Sequence, residues 1–153
     1  MTIQCTVTVF GPEKIPTTNY IDSQNQVCDH LGKVFSDKKF TDIKIQCEGQ
    51  TFDCHMVILA ARSPVFMAMF QSNMKEKETQ TVNIDDFKPT VVAEMLSFIY
   101  TGEVSSHDAL SDNDIASDLL KAADKYQLDL LKNICEERLC SIGLTHWGVL
   151  TKQ

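Results

Sequence analysis

Two changes of hydrophobic period organise the middle of this chain. From Asp42 to Cys47 polar and apolar residues alternate, with Ile43, Ile45 and Cys47 on one face, and Thr51 to His55 repeats the alternation through Phe52 and Cys54. Such alternation predicts half-buried strands. Glu48-Gly49 between them supplies a short turn, and glycine accepts the positive φ that tight hairpin turns demand. At His55 the period changes to that of a helix: Met56, Val57, Ile58, Leu59, Ala60 and Ala61 are apolar nearly all round, which predicts a short helix buried on most sides. Ser63-Pro64 then restarts the chain, Ser63 as a cap and Pro64 in a first turn where its missing N–H does no harm. The prediction is a hairpin followed by two short helices, the second over residues 65–71.

Toward the N-terminus, residues 2–10 alternate cleanly, with Ile3, Cys5, Val7 and Val9 apolar. They read as a half-buried strand without a hairpin partner nearby, and such a strand needs a sheet from elsewhere. Gly11-Pro12, Pro16 and the polar run to Gln26 read as a linker. Residues 27–35 form a first helix, with Val27, Leu31, Val34 and Phe35 on its apolar stripe; its outer apolar residues face either core or another chain. Beyond the hairpin helices, SNMKEKETQ is a charged segment, residues 81–84 a short strand, and Pro89 opens a helix to Tyr100 with Val92, Met95, Leu96 and Ile99 inward. Gly102 suits a left-handed C-cap. Residues 107–114 are a polar loop. Residues 115–126 and 128–142 form two helices, and their closeness in sequence predicts antiparallel packing. Thr145-His146-Trp147 reads as the start of one more helix.

The totals exclude more than they assign. A chain of 153 residues, 43% hydrophobic and 23% charged, is about one soluble globular domain with room for a core. No apolar run approaches the length of a membrane span, and no signal-peptide pattern opens the chain, so the expectation is an intracellular protein of cytoplasm or nucleus with no membrane partner. A net charge of −7 argues against nucleic-acid binding. The six cysteines, Cys5, Cys28, Cys47, Cys54, Cys135 and Cys140, are scattered without a C-x-x-C pair. They read as reduced and mostly buried thiols, ahead of a disulfide or a metal role.

Phosphate-binding, zinc-hydrolase and acyl-transfer motifs are absent, so no catalytic residue, cofactor or metal ligand is assigned and the chain is not expected to be an enzyme. Cys54 and His55 are adjacent, but neighbours along a strand point to opposite faces, which is poor geometry for a nucleophile and its base. A structural role for His55 follows. Asp42 reads as a hydrogen-bonded structural carboxylate. Met74-Lys75-Glu76, taken alone, is a solvated loop with one exposed methionine.

FTDIKI, the glycine of CEGQ, FDCHMVILAARSPVF, IYTGEV and ADKYQLDLLKNICEERL fall in one order and spacing, and in this the chain resembles the BTB (POZ) domain over residues 27–142. Within that family it looks most like the MATH-BTB group, that of the speckle-type POZ protein. The resemblance implies an α+β fold: a short three-stranded sheet with a cluster of helices, the last two an antiparallel hairpin. It implies that residues 1–10 are the last strand of a MATH domain, although an extra, exchanged strand of the BTB fold fits the same pattern. It also implies that residues 143–153 begin a C-terminal helical extension.

The function implied is that of a homodimeric substrate adaptor of a cullin-3 ubiquitin ligase, with substrates held by the largely absent MATH domain. Carried over residue by residue, Val27, Leu31, Val34 and Ile58 match the two-fold dimer interface, where a self-complementary aliphatic patch is needed. Met74 and Glu76 match a hydrophobic-x-Glu motif that meets the cullin-3 N-terminal domain. Burying the methionine would contribute about 1.5–3 kcal/mol, and a desolvated hydrogen bond to Glu76 about as much. Asp124 and Tyr126 would complete that site, with Tyr126 equally a candidate for the core. The alternative is a BTB module that only self-associates or recruits a co-regulator, without cullin.

Overall fold

The computed structural model describes residues 17–72, 79–104 and 113–150. Helix α1 (Thr17–Asp37) leads into strand β1 (Ile43–Cys47), strand β2 (Gln50–Cys54), helix α2 (Met56–Arg62), helix α3 (Pro64–Gln71) and strand β3 (Thr81–Asn83). Helices α4 (Pro89–Thr101), α5 (Asn113–Lys125) and α6 (Asp129–Leu150) complete the order. The fold is mixed α+β, as expected.

Strand β1 is central. It pairs antiparallel with β2 in the register Ile43↔Cys54 to Cys47↔Gln50, and parallel with β3 from Lys44↔Thr81 to Gln46↔Asn83. Ile43, Ile45 and Cys47 are buried while Lys44 and Gln46 face water, so the alternation in sequence is the two faces of one strand. The hairpin turns on Glu48 and Gly49, at φ 45 and 82, the double positive φ that matches the right-handed twist of the flanking strands.

Helix α4 occupies the middle of the molecule. Val91, Val92, Met95, Leu96, Phe98, Ile99 and Tyr100 are all buried, because α1, α2 and α5 pack around it. Gly102 ends it at φ 76 and donates its N–H to the Phe98 carbonyl, the left-handed cap expected of that glycine. The α5 and α6 helices pack as a pair, and their inward faces bring Leu119, Ala123, Leu131 and Cys135 into the same core as the sheet.

Two expectations are corrected. The first helix starts at Thr17, so residues 17–26 are helical and not linker. A polar run does not exclude a helix, since a helix can be polar on most faces. The last helix runs unbroken from Asp129 to Leu150, so no new helix starts near Thr145; a lone glycine such as Gly143 does not by itself stop a helix. The strand expected over residues 2–10 lies outside the described residues.

Leu96 is fully buried in α4. Truncating it to alanine is expected to lower stability by about 2–5 kcal/mol, read as an earlier midpoint in urea unfolding.

Candidate functional site

Two junctions hold buried polar atoms, and each leaves apolar side chains outside. At the first, His55 lies between β2 and α2, with its backbone N–H donating to the Tyr100 hydroxyl at 2.8 Å and ring Nδ1 2.8 Å from the same oxygen. Ring Nε2 lies 2.7 Å from the Lys39 carbonyl. A carbonyl only accepts, so Nε2 carries the proton, and Nδ1 receives the hydroxyl hydrogen of Tyr100. Both ring nitrogens are committed, which leaves no free lone pair for a metal or a base. Asp42 accepts the first helical N–H of α2, from Met56, at 2.7 Å, so it does what a side-chain cap does, from the residue that precedes β1. The structural roles expected of His55 and Asp42 are what the geometry shows.

Apolar side chains of the two helices α1 and α2 also face outward. Val27 is 57% exposed on α1 and Val34 also faces out, while Leu31 and Ile58 are half-buried against the core. Val27, Leu31 and Val34 fall on one stripe of α1 at spacings of four and three. The structure adds Val57, 72% exposed in the first turn of α2. Sequence reasoning missed it because the run Met56–Ala61 is apolar on every side and does not say which residue points out.

At the second junction, Ser63 is fully buried between α2 and α3. Its Oγ accepts from the Phe66 N–H at 3.2 Å and donates to the Tyr126 carbonyl at 2.7 Å. The cap predicted for α3 therefore also ties that helix to the α5–α6 corner. The corner turns through Gln127 at φ 52, with the Leu128 N–H donating to the Ala123 carbonyl at 2.8 Å, a left-handed helix ending built on a non-glycine residue. Between α3 and this corner lies an open groove of about 570 Å³ lined by Pro64, Val65, Ala68, Met69, Ser72 and Gln127. Val65, Ala68 and Met69 at helical spacing were the signal for it.

Of the expected cullin-contact residues, Met74 and Glu76 lie outside the described residues, though the chain leaves α3 at Ser72, on the lip of the groove. Asp124 is exposed and its carboxylate is paired with Lys132 at 2.5 Å. Tyr126 is 2% exposed, with its ring stacked on Phe66 at 4.7 Å between centroids. Its side chain belongs to the core, which is the second of the two roles open to it. Burial, with the Asp86 charge adding, holds its hydroxyl above the ordinary tyrosine range.

Residues 31–142 match the BTB/POZ domain family. The chain belongs to the BTB/POZ family. The TD and POZ domain-containing protein 1 of Mus musculus is 41% identical over 145 residues, which is 92% of this chain and 39% of that protein. A TD and POZ domain-containing protein 1-like relative from the same organism matches equally. The chain thus spans about two fifths of these relatives. Among solved structures, the BTB domain of human gigaxonin overlays with a TM-score of 0.60 at 22% identity, over 88% of this chain and 98% of that one. The BTB domain of zebrafish PATZ1 gives 0.63 at 19%, over 90% and 99%. At these identities the likeness is one of fold.

A BTB domain is a protein-interaction and self-association module, and such domains commonly self-associate. Among the described residues of this one, no group of side chains is arranged to hold a metal, and no helix is long and apolar enough to cross a membrane.

Three thiols of this BTB domain are buried. Cys54 is pushed up to about 12 by burial, with Asp53 adding, and Cys135 to about 11 by burial, with Glu136 adding. Cys47 is raised for the same first reason, and its Sγ donates to the Phe87 carbonyl at 2.9 Å. Because the thiolate is the reactive form, brief alkylation at pH 8 is expected to modify Cys140 and spare Cys47, Cys54 and Cys135, as read by peptide mass spectrometry. The sign for stability follows. The fold holds these thiols protonated while the unfolded chain ionises from about pH 9, so stability falls as pH rises from there toward 12.

Proposed function

We propose that this chain is the BTB unit of a MATH-BTB adaptor, dimerising through α1 and α2 and binding the N-terminal domain of cullin-3. The observation that carries the reading is the apolar groove between α3 and the Tyr126-Gln127 corner, open where the chain enters the segment with Met74-Lys75-Glu76. Met74 is the kind of flexible side chain that fills an irregular groove, and Glu76 would add a charge-assisted hydrogen bond. Asp124 stands at the same corner, exchanging Lys132 for a partner. The names of the mouse relatives place a TD domain beside their POZ domain, which supports a second domain in the whole protein, and in this reading that domain is the substrate-holding MATH domain. The chain itself performs no chemistry in this reading and works in cytoplasm or nucleus. Its mechanism is spatial: a dimer holds two cullins and two substrate sites together, raising effective concentration without new contacts.

The test is a calorimetric titration with the cullin-3 N-terminal domain. Met74→Ala/Glu76→Ala and, separately, Met69→Lys are each expected to weaken binding about 100-fold, with dimer mass unchanged. Wild-type protein that is folded and dimeric yet shows no heat of binding leaves the other reading, self-association or co-regulator recruitment without cullin.

For the dimer, Leu31→Asp is expected to give monomers in light scattering, because it places an unpaired charge in an apolar contact. An unchanged mass removes α1 from the interface.

A further inference from the structure

Phe40 is 92% exposed and sits at φ 60, with Lys38 at φ 51 in the same turn. Bulky side chains seldom occupy this left-handed region, and among the described residues none covers the phenyl ring, which stands in water there. The turn is nevertheless fixed. His55 Nε2 donates to the Lys39 carbonyl at 2.7 Å, and that carbonyl belongs to the peptide group that enters Phe40. Beside the turn opens a pocket of about 240 Å³ lined by Phe35, Ser36, Lys38, Thr51, Phe52 and Asp53. Two phenylalanines line it, and it has room for a ring, since a cavity of about 150 Å³ already holds benzene.

We propose that in a two-fold dimer of this chain the Phe40 ring of each copy enters the Phe35–Phe52 pocket of the other. The proposal deepens the self-association reading and rests on it. Three observations select a second copy as the occupant. Projecting ring and pocket lie on one turn, with Lys38 in the pocket wall two residues from Phe40, as an isologous contact requires of a single patch. The pocket continues the α1 stripe, because Phe35 in its wall lies four residues after Leu31 on the same helix, a spacing that places both on one face. Its rim carries one charge of each sign, Lys38 and Asp53, so two copies meet without like-charge repulsion.

The experiment is a dilution series in sedimentation equilibrium on the whole chain. Phe40→Asn installs a residue that tolerates the left-handed backbone, so the unfolding midpoint, measured at concentrations where both proteins are monomeric, is expected to hold or rise. The dimer dissociation constant is expected to increase about tenfold or more. Ser36→Trp, which fills the pocket from its rim, is expected to weaken the dimer as much while leaving Phe40 in place. A wild-type dimer whose dissociation constant changes less than about threefold in either variant overturns the Phe40 contact and leaves self-association standing. Wild-type protein that stays monomeric at every concentration overturns both.

Discussion

The Tyr100 hydroxyl and the His55 ring together join three separate parts of the chain by hydrogen bonds. The hydroxyl takes the His55 N–H and faces the His55 ring, which in turn reaches the Lys39 carbonyl. The end of α4, the junction of β2 with α2 and the turn after α1 are thereby held by one string of hydrogen bonds. Each of these groups is costly to bury alone and inexpensive to bury together. Phe35 stacks on the Tyr100 ring at 4.4 Å, so α1 is registered against α4 by packing as well as through the turn. Close approach does the rest: a Cβ on Gly32 would stand 3.1 Å from the Thr101 methyl.

From this the outer surface follows. With α1 and α2 both fixed against α4, Val27, Val34 and Val57 have no inner surface left to cover and remain in water. The second junction repeats the logic. Buried Ser63 joins α3 to the α5–α6 corner, Phe66 stacks on Tyr126 beneath, and the residues above line a groove. In both places a satisfied polar group fixes the backbone, and the apolar side chains that the core does not use form the interaction surface. Such a division suits a module whose work is to bind proteins, since rigidity at the junction limits what is lost when a partner orders the surface.

Much of this was legible along the chain. The alternation in β1, the caps at Ser63 and Gly102 and the stripe on α4 are local signals, set by strand and helix periods and by the few residues that accept special backbone angles. Local signals failed where local chemistry was ambiguous. Residues 17–26 are polar and still helical, and Gly143 does not divide the last helix. Tyr126 could have faced either way until Phe66, sixty residues earlier in the chain, was seen stacked on it.

The sequence by itself therefore determined most of the described elements, their order, the family and the apolar stripe on α1, because periodicity and capping act over a few residues. Only the tertiary structure decided which apolar residues stay outside. Val57, Phe40 and, on α3, Met67 are as hydrophobic as their buried neighbours, and nothing in their spacing marks them. Their exposure is set by where α4 has already been covered, by the His55 bond that pins the turn at Lys39, and by the Ser63 bond that sets α3 against the corner. Those are contacts between residues far apart in sequence, and burial is a property of the packed whole.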